Sequence, residues 1–422
     1  MIYGLIGEKL GHSFSKEIHE KIADYTYKLI PVSKDLFDDF MKEKNFTAIN
    51  VTIPYKEKVI PYLGYIDDKA KKIGAVNTIV KKEGKLFGYN TDYYGFKYML
   101  EKNKIDPKDK KILILGKGGA SKACIEVVKD MGSKEIQIVY YRVISENIKT
   151  ISKEGPQIIS YENCYKNHSD AQIIINTTPV GMYPNTEDSP VDLSKFNNLE
   201  AVVDVIYNPL RTKFLIDGID KGVICVGGLE MLIAQAKFAV EIFLNKKIRN
   251  DIIQEIHDSL MKERRNIVLI GMSGCGKSTI GKLLAQILKK EFVDVDEEIV
   301  KEINMSIEEF FSKKDEIEFR KIERNIIQNL SKMNGLIIST GGGVVKNKEN
   351  IIDLKKNGKI IWIKRDVSLL ESGNGRPLAP DFEATKNLYK ERLPLYEKSS
   401  EIIVENNESI ENTLEKLIKY IE

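Results

Sequence analysis

Residues 271–279 read GMSGCGKST, and Gly271, Gly276, Lys277 and Ser278 complete the pattern GxxxxGK[ST]. No other stretch constrains the chain as tightly. The glycines let backbone N–H groups face phosphate oxygens, Lys277 reaches the β- and γ-phosphates, and the Ser278 hydroxyl coordinates Mg²⁺. An apolar strand pattern over 266–270 and a helical pattern over 277–288 supply the expected surroundings. Such a loop follows the first strand of its domain. A separate domain therefore starts near residue 264, and everything ahead of it needs its own account.

Across 422 residues, two or three domains are expected. Short β-branched runs alternate with helical patterns: 2–7, 46–54, 111–116, 171–179, 201–207, 266–271, 336–343 and 359–364. That alternation predicts an α/β class throughout. Residues 77–92 predict a hairpin turning at Glu83–Gly84. The expected organisation has three parts. They are a mixed α/β domain over 1–103 with returning helices at about 229–258, a Rossmann-type domain over 104–228, and a three-layer phosphate-loop domain over 264–422. The charged run Lys262–Arg265 is expected as a short joint.

The net charge of +3 with interspersed signs argues against nucleic-acid or membrane partners. The apolar start ends at Glu8 and Lys9, too short for a signal-peptide core, and no run reaches the ~20 apolar residues of a membrane span. Four scattered cysteines without CxxC pairing, and four histidines without HExxH spacing, predict a reduced cytoplasmic protein with no transition metal. Oligomeric state stays open.

Behind the phosphate loop, FVDVDEEI (292–299) places Asp294 and Asp296 two apart, read as one face of a strand end. One suits magnesium and the other a substrate hydroxyl. EFRKIE (318–323) supplies Arg320, STGGGVV (339–345) three glycines, GNGRPLAP (373–380) Arg376, and ERLPLYEK (391–398) Arg392. In this order the set resembles shikimate kinase over essentially the whole C-terminal domain. The resemblance implies that Asp296 contacts shikimate and accepts its proton, with Lys277 assisting transfer. Arg320 and Arg392 would clamp the carboxylate beside Gly342 and Gly343. Gly271, Gly274, Gly276, Lys277, Ser278, Thr279 and Arg376 would bind ATP, and Ser278 and Asp294 would serve Mg²⁺. Arginine forks suit a carboxylate, and phosphoryl transfer needs positioning and positive charge. The lid departs from the family in lacking a second arginine a few residues before Arg376.

KILILGKGGASKACIEVV (111–128) reads as strand, glycine turn and helix. Gly116, Gly118, Gly119 and Ala120 fit a dinucleotide turn, but Ser121 stands where the strict GxGxxG pattern wants glycine. The next strand pattern ends at Arg142, where NAD enzymes place an acid. A cation there suits the 2′-phosphate of NADP. With GHSFSKEIHE (11–20), NVTIPYKE (50–57), GAVNTI (74–79), GYNTDYYGF (88–96), NTTPVGM (176–182), DVIYNPLRTKFL (204–215) and GGLEMLIAQA (227–236), the first 260 residues resemble shikimate dehydrogenase. The resemblance implies a catalytic pair, Lys56 and Asp92. It also implies substrate contacts from Ser13, Ser15, Thr52, Asn77, Tyr207 and Gln235, and approach of Gly228 to the nicotinamide. Taken alone, Lys56 reads as a solvated lysine and Asp92 as a helix N-cap.

Together the halves imply consecutive steps: 3-dehydroshikimate plus NADP(H) to shikimate, then ATP- and Mg²⁺-dependent phosphorylation, at two independent sites. A quinate/shikimate dehydrogenase joined to a related kinase is one alternative. A weakly catalytic dehydrogenase-like scaffold on an active kinase is another. A substrate panel with quinate and an NADPH assay separate them.

Overall fold

The computed structural model describes residues 1–11, 13–141, 156–370 and 381–421. It divides into two compact units: Met1–Asn208 with Thr212–Asp258, and Pro209–Arg211 with Ser259–Glu422. The charged run Lys262–Arg265 is no loop. Its first three residues form the last turn of the helix Asp251–Arg264, and a strand begins at Asn266.

The first unit contains two six-stranded sheets. One runs Tyr27–Pro31, Tyr3–Gly7, Ala48–Val51, Thr78–Lys82, Lys85–Tyr89 and Tyr65–Ile66, mixed in direction, with the predicted hairpin between Lys82 and Lys85. The other is wholly parallel, in the order Ile224–Val226, Ala201–Asp204, Ile173–Asn176, Lys111–Leu115, Glu135–Val139, Gln157–Ile159. Strand order reverses on either side of Lys111–Leu115, the doubly wound pattern whose crevice lies at the strand carboxyl ends. The run KILIL has no polar break after Lys111 because both its faces are covered. Ile112 and Ile114 pack into one apolar cluster, Leu113 and Leu115 into another.

After that sheet the chain returns as the helix Leu229–Leu244. Phe243 stacks on Tyr3 at 5.8 Å, which anchors this helix on the first sheet. Against the helix Thr91–Lys102 it packs at close range. A Cβ on Gly95 would stand 2.7 Å from the Met231 carbonyl oxygen and 2.8 Å from the Gln235 Cβ.

His19 sits at the centre of an aromatic cluster in this unit. It is fully buried, stacks on Tyr27 at 3.9 Å, and shares a hydrogen bond of 2.8 Å with the Tyr25 hydroxyl through Nδ1. Burial depresses its pKa to about 3. Below pH 6.5 the unfolded chain takes a proton that folded His19 refuses, so stability is lost as pH falls from 6.5 toward 3. At pH 5 the loss is about 2 kcal/mol. Denaturant unfolding of the first unit, followed by dehydrogenase turnover at pH 7 and 5, should show a smaller pH dependence in His19→Gln than in the parent. Trp362, buried in the other unit, reports that unit separately.

The second unit holds a five-stranded parallel sheet in the order Glu291–Asp294, Leu336–Ser339, Asn266–Ile270, Gly358–Lys364, Ile402–Glu405. The phosphate loop leaves Asn266–Ile270, the central strand, and enters the helix Lys277–Leu288.

Candidate active sites

Lys56 and Asp92 meet in the first unit. The Lys56 ammonium donates to Asp92 Oδ2 at 2.6 Å, with both side chains largely shielded from solvent. Lys56 is therefore not a solvated lysine. Asp92 is not the N-cap either. Asn90 caps the helix, accepting from the Tyr93 N–H at 3.3 Å, and Asp92 occupies the first turn with its carboxylate turned to the site. Its second oxygen accepts from Asn77 Nδ2 at 2.9 Å, and the same nitrogen lies 3.4 Å from Gln235 Oε1. Sequence reasoning missed the buried hydroxyls behind this group. Thr91 donates its backbone N–H to Asn77 Oδ1 at 2.7 Å, and the Thr78 hydroxyl donates to the same oxygen at 3.0 Å. Both threonines lie inside the quoted motifs, where a short polar residue beside an amide is the only available signal.

Ser13 and Ser15 share a hydroxyl–hydroxyl bond of 3.0 Å at the start of the helix Ser15–Ile22. Burial raises the pKa of the Tyr207 phenol overall, while Ser13, which lies near it, favours its ionised form. The Thr52 N–H donates to the Ile6 carbonyl at 2.9 Å, which fixes Thr52 beside the first strand. Thus Ser13, Ser15 and Tyr207 form one group, and Asp92, Lys56, Asn77 and Gln235 another.

The glycine turn approaches Lys56 directly, since a Cβ on Gly119 would lie 3.3 Å from Lys56 Cδ. Gly116 has φ of 102°, a conformation open to glycine, and a Cβ on Gly118 would meet only open space. A dinucleotide phosphate fits such a bare turn at the start of the helix Gly119–Asp130. Ser121, in the place of the third glycine, is buried and donates its hydroxyl to the Gly116 carbonyl at 2.9 Å. The substitution ties the turn's ends together. Arg142 lies outside the described residues.

In the second unit, Gly276 leads into the loop's helix with φ of 98°. The Lys277 ammonium donates to the Gly271 and Met272 carbonyls at 3.0 and 2.9 Å. The Ser278 hydroxyl donates to Asp294 Oδ2 at 2.6 Å. A hydroxyl and a carboxylate side by side are hard oxygen donors of the kind Mg²⁺ takes. Asp294 and Asp296 do not share a strand end. Asp294 closes its strand and caps the next helix, accepting from the Asp296 N–H at 3.0 Å, while Asp296 stands within that helix, Val295–Ile303. Asp296 still faces the glycine run, because a Cβ on Gly341 would be 2.8 Å from its Oδ1. Burial and the neighbouring Asp294 carboxylate raise its pKa, against the pull of Lys277 and Arg320.

Arg320 is held by two carboxylates absent from the sequence reading. Nη1 donates to Glu323 Oε1 at 2.9 Å, and Nε and Nη2 donate to Glu316 Oε1 at 3.1 and 2.9 Å. Their spacings of four before and three after Arg320 on one helix were the legible signal. The clamp lies over Gly343, where a Cβ would be 2.1 Å from Arg320 Nη2. Arg392 is different. It is buried, yet Nε and Nη2 have no hydrogen-bond partner among the described residues. Gly342 lies beside it, 3.4 Å from Nη1 to a would-be Cβ, with its carbonyl bonded by the Tyr396 hydroxyl at 2.5 Å. A buried cation with free donors suits an anion. A cavity of about 540 Å³ opens on the outer side of Arg320, but it includes none of Asp296, Gly342, Gly343 or Arg392. Arg376 lies outside the described residues.

A doubly wound dinucleotide fold with a lysine–carboxylate pair, followed by a phosphate-loop fold with a guarded guanidinium, defines an oxidoreductase joined to a small-molecule kinase. Residues 5–79 match the family model for the shikimate dehydrogenase substrate binding domain, and residues 273–422 the model for shikimate kinase. The shikimate dehydrogenase (NADP(+)) of Clostridium beijerinckii is 42% identical over 271 residues, 62% of this chain and 98% of that protein. Among solved structures, shikimate dehydrogenase 1 from Peptoclostridium difficile is 38% identical, with a TM-score of 0.57 over 61% of this chain and 97% of its own. The chorismate mutase/shikimate 5-dehydrogenase fusion protein from Clostridium acetobutylicum is 40% identical, with a TM-score of 0.56 over 61% and 96%. The chain belongs to the shikimate dehydrogenase family and carries a shikimate kinase domain behind it, a bifunctional enzyme of the shikimate pathway.

Proposed function

We propose that the first unit reduces 3-dehydroshikimate to shikimate with NADPH and that the second transfers the γ-phosphoryl of ATP to the shikimate 3-hydroxyl with Mg²⁺. The observation that carries the first step is the shielded Lys56–Asp92 pair beside the glycine turn. NADPH supplies the hydride. Lys56 hands a proton to the ketone oxygen as negative charge develops there, and Asp92 orients the ammonium and stabilises its charge. Ser13, Ser15 and Tyr207 hold the carboxylate, while Thr52, Asn77 and Gln235 take hydroxyls.

For the second step the supporting feature is Arg392, a buried guanidinium with two donor atoms unpartnered among the described residues, which suits the same carboxylate. Arg320, braced by Glu316 and Glu323, completes the clamp. Asp296, with its raised basicity, takes the hydroxyl proton, and Lys277 and the Ser278–Asp294 pair face the phosphates and magnesium. One reaction containing 3-dehydroshikimate, NADPH, ATP and Mg²⁺ tests both steps, through loss of NADPH absorbance and appearance of phosphorylated product. Quinate in place of shikimate should be a poor substrate for each half.

Cofactor choice follows from Arg142 at the second strand's end in sequence, and from the NADP(+) in the name of the Clostridium beijerinckii relative. Charged hydrogen bonds to a 2′-phosphate favour NADPH over NADH by roughly 10- to 100-fold in kcat/KM. Comparable values for the two cofactors, measured side by side, would remove the role given to Arg142.

A further inference from the structure

We propose that Asp204 is a positioning residue that locks the cofactor turn and the substrate segment of the dehydrogenase into one arrangement. The inference rests on reading the first unit as an NADPH-dependent reductase, and it concerns a residue outside the sites assigned above.

Asp204 ends the strand Ala201–Asp204 at the carboxyl edge of the parallel sheet, in register with Asn176 on the neighbouring strand. Ligands bind beyond this edge in such folds. The carboxylate is fully buried and makes no ion pair among the described residues. It works instead as a three-way acceptor. Oδ1 takes Asn176 Nδ2 at 3.1 Å and the Ile206 N–H at 3.0 Å, and Oδ2 takes the Thr212 hydroxyl at 2.7 Å.

Two of the three bonds lead to ligand-binding segments, and the third holds Thr212, which caps the helix Lys213–Lys221. Asn176 Oδ1 accepts from the Thr178 N–H and hydroxyl at 3.0 and 2.7 Å, shaping the turn over 176–180. That turn lies against the start of the glycine turn, since a Cβ on Gly116 would meet Thr177 Oγ1 at 2.9 Å and Thr178 Cγ2 at 3.0 Å. In the other direction, Ile206 accepts from the Gly228 N–H at 2.9 Å, and a Cβ on Gly228 would stand 2.1 Å from the Val205 carbonyl oxygen. Tyr207 follows at once and packs on Phe14 at 5.1 Å. One carboxylate thus spans the cofactor turn and the segment that bears Tyr207.

An apolar or amide side chain would fill this site at lower cost than a buried carboxyl, whose pKa burial pushes up to about 7. Three converging donors account for keeping the acid. They also distinguish positioning from packing, because packing needs volume and not acceptors.

The test uses the full-length chain, with kinase turnover in each preparation as an internal control. Asp204→Asn preserves volume and removes one acceptor. It should raise the KM for NADPH and for 3-dehydroshikimate together, by roughly 5- to 50-fold, with kcat changed less. Thr212→Val should raise both in the same direction, and Thr212→Ser should restore them. Should Asp204→Asn not fold, the Thr212 pair decides by the same criterion. KM values within twofold of the parent, with or without a lower kcat, overturn the proposal, as does a rise in one KM alone. A parent chain unable to reduce 3-dehydroshikimate with NADPH overturns the reading of the whole unit instead, and this inference with it.

Discussion

Replacing Lys56 with alanine is expected to slow the reduction of saturating 3-dehydroshikimate by roughly 10²- to 10⁴-fold, the usual contribution of a positioned proton donor. Hydride can reach the carbonyl carbon only as the oxygen's growing charge is neutralised, and the role proposed for the Lys56 ammonium, held against Asp92, is to do this. Substrate binding should change far less, because Ser13, Ser15, Tyr207, Asn77 and Gln235 remain. The measurement is NADPH consumption over a range of substrate concentration, with kinase turnover of the same preparation as the control. A variant with near-normal kcat and an increased KM would move Lys56 from proton transfer to simple binding. Asp92→Asn should fall in the same direction, since an amide cannot balance the ammonium.

Replacing Asp296 with asparagine is expected to cost phosphoryl transfer roughly 10²- to 10⁴-fold while leaving reduction untouched. Asparagine keeps the shape and a hydroxyl-binding oxygen but cannot accept a proton. The raised pKa of Asp296, caused by burial and by the Asp294 carboxylate, suits it to accept a proton. Asp294 instead spends its oxygens on Ser278 and on capping the helix. Shikimate-dependent ADP release, set beside NADPH turnover from one batch, reads both activities. Equal losses in the two assays would point to a damaged chain, and an unchanged kinase would take the proton-accepting role away from Asp296.

The α/β class, the hairpin at Glu83–Gly84, the helix 277–288 and the phosphate loop were all legible in sequence. Each is set by neighbours in the chain: alternation along a strand, glycine where the backbone needs φ above zero, a hydroxyl one step beyond the lysine. The strand-end pairing of Asp294 and Asp296 was misread for a related reason. A two-residue spacing looks the same on a strand as across a strand-to-helix junction, and only the Asp294 cap distinguishes them. Asp204 and Glu323 stood inside quoted motifs without a role, because their importance comes from being fully buried, which no local pattern announces.

By itself the sequence determined where the phosphate-loop motif lies and which residue types each half brings to its proposed chemistry. Backbone amides and side chains a few positions apart make up such a motif, so their order in the chain is their geometry. Only the tertiary structure decided which ionisable groups face one another. Lys56 finds Asp92 from 36 positions away, Arg320 is braced by two carboxylates, and Arg392 keeps donors unpartnered among the described residues. The reason is that a charge's worth depends on the water removed from it and on the partner supplied in exchange, and both are set by folding.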